Sequence, residues 1–361
     1  MKKIKKFVAA IMTSILLCAC GNNTTSVSTQ AESVQQAESE GNTEAPKPSE
    51  TPAPTETPVT TPEPAPAAPE KFSFNPHVYI PMLAGVYSVE YWNSMYSLCD
   101  ALREGKDTFE CAGQEIYDWC LDITTLAHLF PAAGGKVSGK SDDGTVPYEN
   151  GVGRIYYKMP VEDFVKRQAD FEKEVENILN SVLESDDTDF EKIFKLYAYI
   201  AENYTYTEDF VSDGAFSYSS LMEKKGVCDH IASNYAYLLL QAGIDAVEVG
   251  CADKLDHAWN YVKLEGEGYF CDATWALHAK NDPLFLGHFM NSAEVRAANN
   301  VPLDNLTMPL LPNVFVNRSD FKVTAESGKF DCFSDAEFYM LDEAGKTIAY
   351  RNSEGLHTLK F

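Results

Sequence analysis

The sequence has little positive charge, no aromatic residue between positions 21 and 70, and no long apolar run. Lysine and arginine number 29 against 54 aspartates and glutamates in 361 residues, which gives a formal net charge of −25. Such a chain is a poor match for a phosphate backbone, so we expect no nucleic-acid partner. No apolar stretch approaches the ~20 residues that a membrane-spanning helix needs. With 45% hydrophobic residues, however, the chain is too apolar to be wholly disordered.

The first 20 residues have the pattern of an export signal. Four lysines precede the apolar run from Phe7 to Leu17, and Cys20 follows in the sequence Leu-Cys-Ala-Cys-Gly. This ending resembles the lipobox of bacterial lipoproteins, in which the cysteine becomes the lipidated first residue. Cys18 departs from the small residue usual at its position, and an ordinary signal peptide is the alternative. We expect lipidation at Cys20 and anchoring to the extracytoplasmic face of the cell membrane through the lipid alone.

Residues 21–70 lack the material for a core. They are almost all Asn, Thr, Ser, Gln, Ala, Glu and Pro, and half of the 18 prolines lie between Pro46 and Pro69. This composition predicts a disordered linker whose second half is a stiffer, polyproline-like spacer. A ligand segment for a partner protein is the alternative, but no Pro-x-x-Pro motif with flanking basic residues supports it.

The remainder of the chain, residues 71–361, is long enough for a hydrophobic core. Apolar residues at three- and four-residue spacings predict helices over Val161–Leu183 and Phe190–Asn203. Alternating runs at Glu337–Leu341 and Thr347–Tyr350 predict a short C-terminal β-meander. We therefore divide this part into a mainly helical N-terminal region (71–185), a core (186–300) and a β-rich segment (301–361).

The cysteines of the helical region, Cys99, Cys111 and Cys120, have two interpretations. An exported protein can form disulfides, but buried free thiols fit the spacing equally well. Cys111 and Cys120 are nine residues apart and no second cysteine pair accompanies them, so a zinc site is not expected. Cys251 and Cys271, on neighbouring predicted strands, leave the same choice between disulfide and free thiol.

The segment from Gly226 to Trp275 carries the functional signal. Gly226 and Val227 end a polar turn, and Cys228 begins an apolar-periodic run that stops at Gly243. Cys228 is thus expected in the first turn of a helix, where unpaired backbone N–H groups and the positive end of the helix dipole stabilise a thiolate. It is the candidate nucleophile.

Three strands are predicted after this helix, at residues 246–252, 257–264 and 269–275. A two-residue loop at Glu265–Gly266 places His257 opposite Thr274 and leaves Asp272 on the diagonal, about 7 Å away. A four-residue loop would separate them further. In the first register, His257 can contact Cys228 through one ring nitrogen and Asp272 through the other.

Together these motifs resemble the transglutaminase-like superfamily. The match consists of Gly226-Val227-Cys228, Ala242-Gly243-Ile244, His257-Ala258-Trp259-Asn260 and Asp272-Ala273-Thr274-Trp275. The resemblance covers about residues 190–290. It implies an α+β, papain-like fold in which a nucleophile helix packs on an antiparallel β-sheet. It also implies Cys228 as nucleophile, His257 as base and Asp272 as the acid that orients the base.

The resemblance implies chemistry on amide bonds of proteins or peptides, cell-wall peptides among them. Cys228 would form a thioester that water or an amine then attacks, and we expect hydrolysis in preference to cross-linking. Tyr204 and Tyr206 are candidates for a second oxyanion donor beside the backbone N–H of Cys228, although both could be core aromatics. We expect Asp229, next to the nucleophile, to face solvent.

This scheme requires neither a cofactor nor a metal. Cys228, His230 and His257 could imitate part of a zinc site, but further ligands at matching spacings are missing from the sequence. The rival interpretation is a non-catalytic, lipid-anchored binding or adhesion protein that keeps a transglutaminase-like fold. Reactivity of Cys228 toward thiol reagents distinguishes the two.

Overall fold

The computed structural model describes residues 71–141, 145–209, 216–251, 255–278, 282–311 and 322–361. The predicted export signal, the linker and Cys20 lie outside these residues. The described residues form eight α-helices and thirteen strands. Among those helices, none is both long enough and apolar enough to cross a bilayer.

The region before the core is helical with short strands between its helices. In chain order its elements are α1 (Val89–Arg103), β1 (Thr108–Glu110), α2 (Gln114–Cys120), α3 (Ile123–Leu129), β2 (Val137–Ser138), β3 (Tyr148–Glu149), β4 (Val152–Arg154), β5 (Tyr156–Tyr157) and α4 (Val161–Val182). Strands β1, β4 and β3 form an antiparallel sheet in that order, and β2 pairs with β5. Helix α4 has the predicted bounds to within one residue, because Phe164, Phe171 and Val175 bury one of its faces.

The core has the predicted α+β architecture. Its elements are α5 (Asp189–Asn203), β6 (Thr205–Tyr206), α6 (Phe216–Glu223), β7 (Lys225–Gly226), α7 (Cys228–Gln241), β8 (Ala246–Cys251), β9 (His257–Leu264), β10 (Glu267–Cys271) and α8 (Ala293–Ala298). Strands β10, β9 and β8 form an antiparallel sheet in that order. Helix α7 packs on β8 and β9, and α5 and α6 pack against α7. The prediction of a nucleophile helix on an antiparallel sheet is confirmed.

The hairpin between β9 and β10 has the two-residue loop that the site requires. Glu265 and Gly266 both have positive φ, 53° and 86°, as a type I′ turn needs. Leu264 therefore pairs directly with Glu267, and the ladder continues to Asn260 opposite Cys271. This register fixes which residues of the two strands are neighbours.

Strand β10 is shorter than predicted, because it ends at Cys271 instead of continuing to Trp275. Asp272 leaves the ladder: its backbone N–H bonds to the carbonyl of His288, and its carboxylate Oδ1 accepts the N–H of Trp275 at 3.1 Å. An aspartate that accepts a backbone N–H three residues ahead closes a turn and competes with strand pairing.

The C-terminal strands form the predicted meander, β11 (Glu337–Asp342), β12 (Thr347–Asn352) and β13 (Gly355–Lys360), paired in that order. The meander packs on α5, where Phe338 lies 4.8 Å from Phe194 between ring centroids. Lys346 is bonded to Glu191 at 2.9 Å, and Glu191 also completes a capping box with Thr188 at the start of α5. The meander thus supports the helix that lies behind the nucleophile helix.

None of the seven cysteines among the described residues is in a disulfide. Cys99, Cys111 and Cys120 are buried, as are Cys251 and Cys271. The sequence left a choice between disulfides and buried thiols, and the structure has buried thiols at these positions. Two cysteines, Cys228 and Cys332, are half-buried.

Candidate active site

The candidate nucleophile occupies the first residue of α7. Val227 is the N-cap in an extended conformation, and Cys228 begins the helix. Gly226 precedes them because a side chain would not fit there: a Cβ at this position would lie 2.8 Å from the Cβ of His230. The backbone N–H of Cys228, in the first helical turn, has no intrahelical acceptor and is available to a substrate oxygen.

The structure brings His257 and Asp272 to Cys228, as the sequence predicts. The Nε2 atom of His257 lies 2.7 Å from Oδ2 of Asp272, and both side chains are almost fully buried. The Cys228 thiol lies beside the imidazole in the same cleft, close enough to raise the pKa of His257. Since Nε2 is engaged by Asp272, the remaining nitrogen, Nδ1, is the one that serves Cys228.

A residue that the sequence did not indicate completes the contacts of Asp272. Nη2 of Arg296, on α8, lies 2.5 Å from Oδ2 of Asp272, and the arginine is fully buried. Its guanidinium lies 4.7 Å from the ring centroid of Trp259 and 4.8 Å from that of Trp275. Trp275 in turn stacks on His257 with ring centroids 4.6 Å apart and an interplanar angle of 10°.

The contacts among Arg296, Asp272 and His257 shift two pKa values in opposite directions, that of His257 upward and that of Asp272 downward. Burial alone would lower the pKa of His257, but its contacts with Asp272 and Cys228 raise the pKa to about 9. Burial alone would raise the pKa of Asp272, but Arg296 and His257 hold that pKa below its ordinary value. The favoured state is an imidazolium beside an ionised carboxylate, which is the state that stabilises a thiolate on the other side of the ring.

Of the two tyrosines considered as oxyanion donors, the structure brings one to the nucleophile. Tyr206 pairs with Gly226 through the parallel contact of β6 with β7 and lines the same cleft as Cys228. Burial and the neighbouring Cys228 raise the pKa of Tyr206, so its hydroxyl keeps a proton to donate.

Tyr204 lies elsewhere. It is buried, and its hydroxyl is 3.5 Å from the side-chain amide of Asn234. Asn234 is six residues along α7 from Cys228, about 9 Å along the helix axis at 1.5 Å per residue. The prediction of Tyr204 as an oxyanion donor is therefore corrected: Tyr204 is a core aromatic residue.

The cleft around Cys228 has a volume of about 390 Å³ and is acidic. Its described lining contains four carboxylates and neither lysine nor arginine; the carboxylates are Glu208, Asp229, Glu248 and Asp256. The side chain of Asp229 is 54% exposed, which confirms that it faces solvent. A larger surface groove of about 720 Å³ lies beside α1 and β1, but no cysteine or histidine lines it.

Glu248 is the buried carboxylate of this acidic lining, and its partner is not predictable from the sequence. Its Oε2 lies 3.0 Å from Nε2 of His128, on α3, and both side chains are almost fully buried. Burial raises the pKa of Glu248 despite that contact. Because 120 residues separate the pair, no local spacing could have indicated it.

The described residues contain no group of three or more His, Cys, Asp or Glu side chains arranged to hold a metal ion. His230 is engaged locally, since its Nδ1 accepts the backbone N–H of Val227 at 3.3 Å. The described site therefore consists of three protein groups: the thiol of Cys228, the imidazole of His257 and the carboxylate of Asp272.

Residues 176–272 match the transglutaminase-like superfamily. The resemblance expected from the sequence is confirmed over these residues, which include all three residues of the line from Cys228 to Asp272. The chain is also similar, at 21% identity and a TM-score of 0.26, to a crystal structure described as a "putative cysteine protease" from Cytophaga hutchinsonii. That similarity covers 34% of this chain and 40% of the other protein, so the chain matches less than half of that protein's length. Among curated proteins, none matches this chain.

The transglutaminase-like segment contains α5, the nucleophile helix α7 and the sheet β8–β10, and it ends at Asp272. Residues 176–272 thus have a transglutaminase-like fold. Arg296 on α8 and His128 on α3 lie outside the matched segment, although both contact residues within it.

Proposed function

We propose that the protein is an extracytoplasmic, lipid-anchored cysteine enzyme that acts on amide bonds of proteins or peptides through Cys228, His257 and Asp272. The observation that carries this proposal is the 2.7 Å contact of His257 with Asp272 in the cleft that Cys228 also lines, with the thiol close enough to raise the pKa of His257. A cysteine without such a base would be an inert thiol. The anchor on Cys20 and the extracytoplasmic location rest on the sequence of the first 20 residues alone.

The mechanism follows from the positions of these groups. The Cys228 thiolate attacks the substrate carbonyl, and a carbon–sulfur bond forms while the carbonyl electrons move to oxygen. The backbone N–H of Cys228 and the hydroxyl of Tyr206 donate to that oxygen. As the carbon–nitrogen bond breaks, His257 passes its proton from Nδ1 to the leaving amine, and a thioester remains.

The second half of the reaction restores the thiolate. His257, now neutral, removes a proton from water, the resulting hydroxide attacks the thioester, and the carbon–sulfur bond breaks to release a carboxylic acid. Asp272 keeps the imidazole in place through both halves. We propose hydrolysis in preference to amine transfer because Cys228 is only half-buried and lines an open cleft, so that water can reach the thioester.

Two features of the cleft bear on the substrate. Tyr206 is 48% exposed, so the cleft is open enough at this side to admit an extended peptide. The acidic lining raises the local concentration of cations, including protonated primary amines. Peptides from proteins and from the cell wall are therefore both candidate substrates, and amines are included as candidate acceptors.

The proposal is tested by alkylation and by a product screen. Iodoacetamide at about pH 7 is expected to modify Cys228 about tenfold faster than Cys332, the other half-buried thiol among the described residues. Burial raises the pKa of the Cys332 thiol, whereas Cys228 lies beside His257. Peptides and cell-wall fragments are then incubated with the protein and with Cys228→Ser, with Cys332→Ser as the matched control, and products are identified by mass spectrometry.

The outcomes separate the candidate functions. Hydrolysis products that vanish in Cys228→Ser but persist in Cys332→Ser support the proposed enzyme. Amine adducts with the same dependence on Cys228 would identify an acyltransferase instead of a hydrolase. Equal alkylation of Cys228 and Cys332 would contradict the enzyme proposal and leave the binding or adhesion protein as the better explanation.

A further inference from the structure

Arg296 is a charged residue that is fully buried, where desolvation of its charge is energetically unfavourable. Its side chain has no solvent exposure, and one contact, from Nη2 to Asp272, compensates its charge. Nε and Nη1 have no hydrogen-bond partner among the described residues. The two indole rings of Trp259 and Trp275 offset part of the cost by cation–π contact.

Stability alone does not account for this arrangement. A buried ion pair often contributes no more to stability than apolar residues of the same volume, because the free-energy cost of desolvating the two charges offsets their Coulomb attraction. Helix α8 could be held against the sheet by an apolar side chain such as those that pack elsewhere in the core. What an apolar side chain could not supply is a positive charge 2.5 Å from Oδ2, the same oxygen that accepts from His257.

We propose that Arg296 is a positioning residue of the candidate enzyme: it holds Asp272 ionised and in place, and through Asp272 it fixes the orientation of His257 toward Cys228. This inference rests on the function proposed above. The two parts of the role correspond to two sets of contacts, one electrostatic and one steric.

The electrostatic part concerns the proton between His257 and Asp272. A buried carboxylate tends to take up a proton, but a cation beside it favours the ionised form. With Asp272 ionised, the shared proton stays on Nε2 of His257, and Nδ1 is left to exchange a proton with Cys228. The other titratable groups that face Asp272 or Arg296 are His288, Cys271 on β10 and Tyr197 on α5, all of them buried or partly buried. All three are uncharged at neutral pH, because burial lowers the pKa of His288 and raises those of Cys271 and Tyr197.

The steric part concerns the plane of the imidazole. Trp259 and Trp275 each contact both the guanidinium of Arg296 and the ring of His257. A planar guanidinium against these indoles therefore fixes the surface on which the imidazole stacks. Lysine would retain the charge of Arg296 but not the planar contact.

The test compares Arg296→Met, which keeps length without charge, and Arg296→Lys, which keeps charge without the plane. The readout is the rate of iodoacetamide alkylation of Cys228 as a function of pH, with Arg351→Met, a surface arginine on β12, as the matched control. Without Arg296, either Asp272 takes up a proton or its charge is left uncompensated. Both changes disfavour the thiolate, so the acid limb of the profile is expected to move to higher pH by about half a unit or more, roughly a threefold loss of rate on that limb.

Arg296→Lys is expected to fall between the wild type and Arg296→Met, and Arg351→Met is expected to match the wild type. Thermal unfolding of each variant separates a structural role from a positioning role, since loss of stability alone leaves the pH profile unchanged. A profile of Arg296→Met that superimposes on the wild type overturns the inference, and if Arg296→Met does not fold, a superimposable profile of Arg296→Lys does so. Failure of the proposed function is distinct, because then Cys228 of the wild type would itself react no faster than Cys332.

Discussion

The proton affinity of His257 predicts a specific loss of stability at alkaline pH. Its pKa is about 9 in the folded protein against 6.5 as a reference value, because contacts with Asp272 and Cys228 outweigh burial. The folded state therefore binds this proton more tightly than the unfolded state. The resulting stabilisation is fully present below about pH 6.5 and is lost as the pH rises through about 9.

The magnitude follows from the two values. Each tenfold difference in proton affinity corresponds to about 1.4 kcal/mol, so the interval between 6.5 and about 9 corresponds to roughly 3 kcal/mol. No reduction for solvent screening is needed, because the side chain of His257 is 6% exposed. A loss of this size is a large part of the free energy of unfolding of an ordinary domain.

The assay is urea unfolding at about pH 6 and about pH 9.5 for the wild type, His257→Gln and the control His77→Gln. Glutamine at position 257 can still donate to Asp272, which keeps its contact with Arg296. Other groups that titrate over this interval, such as the buried cysteines, contribute equally to all three proteins. The wild type and His77→Gln are expected to lose roughly 3 kcal/mol more than His257→Gln between the two pH values.

Equal losses in the wild type and His257→Gln would refute the reasoning. Such a result would mean that His257 has the same proton affinity in the folded and unfolded states, and that its contacts with Asp272 and Cys228 do not hold a proton. The imidazolium that the proposed mechanism uses as an acid would then be absent near neutral pH.

Two further predictions concern the cleft and the support of α5. Because four carboxylates and no lysine or arginine line the described cleft, a cationic methanethiosulfonate reagent is expected to modify Cys228 about tenfold faster than an anionic one at low salt, with the ratio falling as salt is added; equal rates would contradict an acidic cleft. Thr188→Ala is expected to lower the free energy of unfolding by about 1 kcal/mol, measured by urea titration, because it removes the capping box of α5. Ser88→Ala is the control, since Ser88 precedes α1 without a capping hydrogen bond from its side chain, and an effect as large as that of Thr188→Ala would argue against the cap.

The parts of the site that the sequence predicted are those set by local chemistry. The position of Cys228 at a helix start is predictable because a polar turn with Gly226 precedes it and an apolar-periodic run follows it. Both signals span only a few residues. The register of His257 follows from the two-residue turn at Glu265–Gly266, which is also local. A hairpin with a known loop fixes the positions of all residues along it.

The parts that the sequence did not predict depend on contacts between distant segments. Arg296 reaches Asp272 from a six-residue helix 24 positions further along the chain, and such a short helix has little periodicity to detect. The sequence predicts too late an end for β10 because an aspartate such as Asp272 can belong to a strand or close a turn, and its contact with the N–H of Trp275 selects the turn. Tyr204 and Tyr206 are two residues apart in the sequence, but the end of α5 buries the first and leaves the second in the cleft.

The stacking of Trp275 on His257 gives the site a built-in optical reporter. The chain has four tryptophans, and two of them, Trp259 and Trp275, contact both His257 and Arg296. A protonated imidazole quenches the emission of an indole in van der Waals contact, whereas a neutral one does so much less. Intrinsic fluorescence is therefore expected to follow the protonation of His257 without any label on the protein.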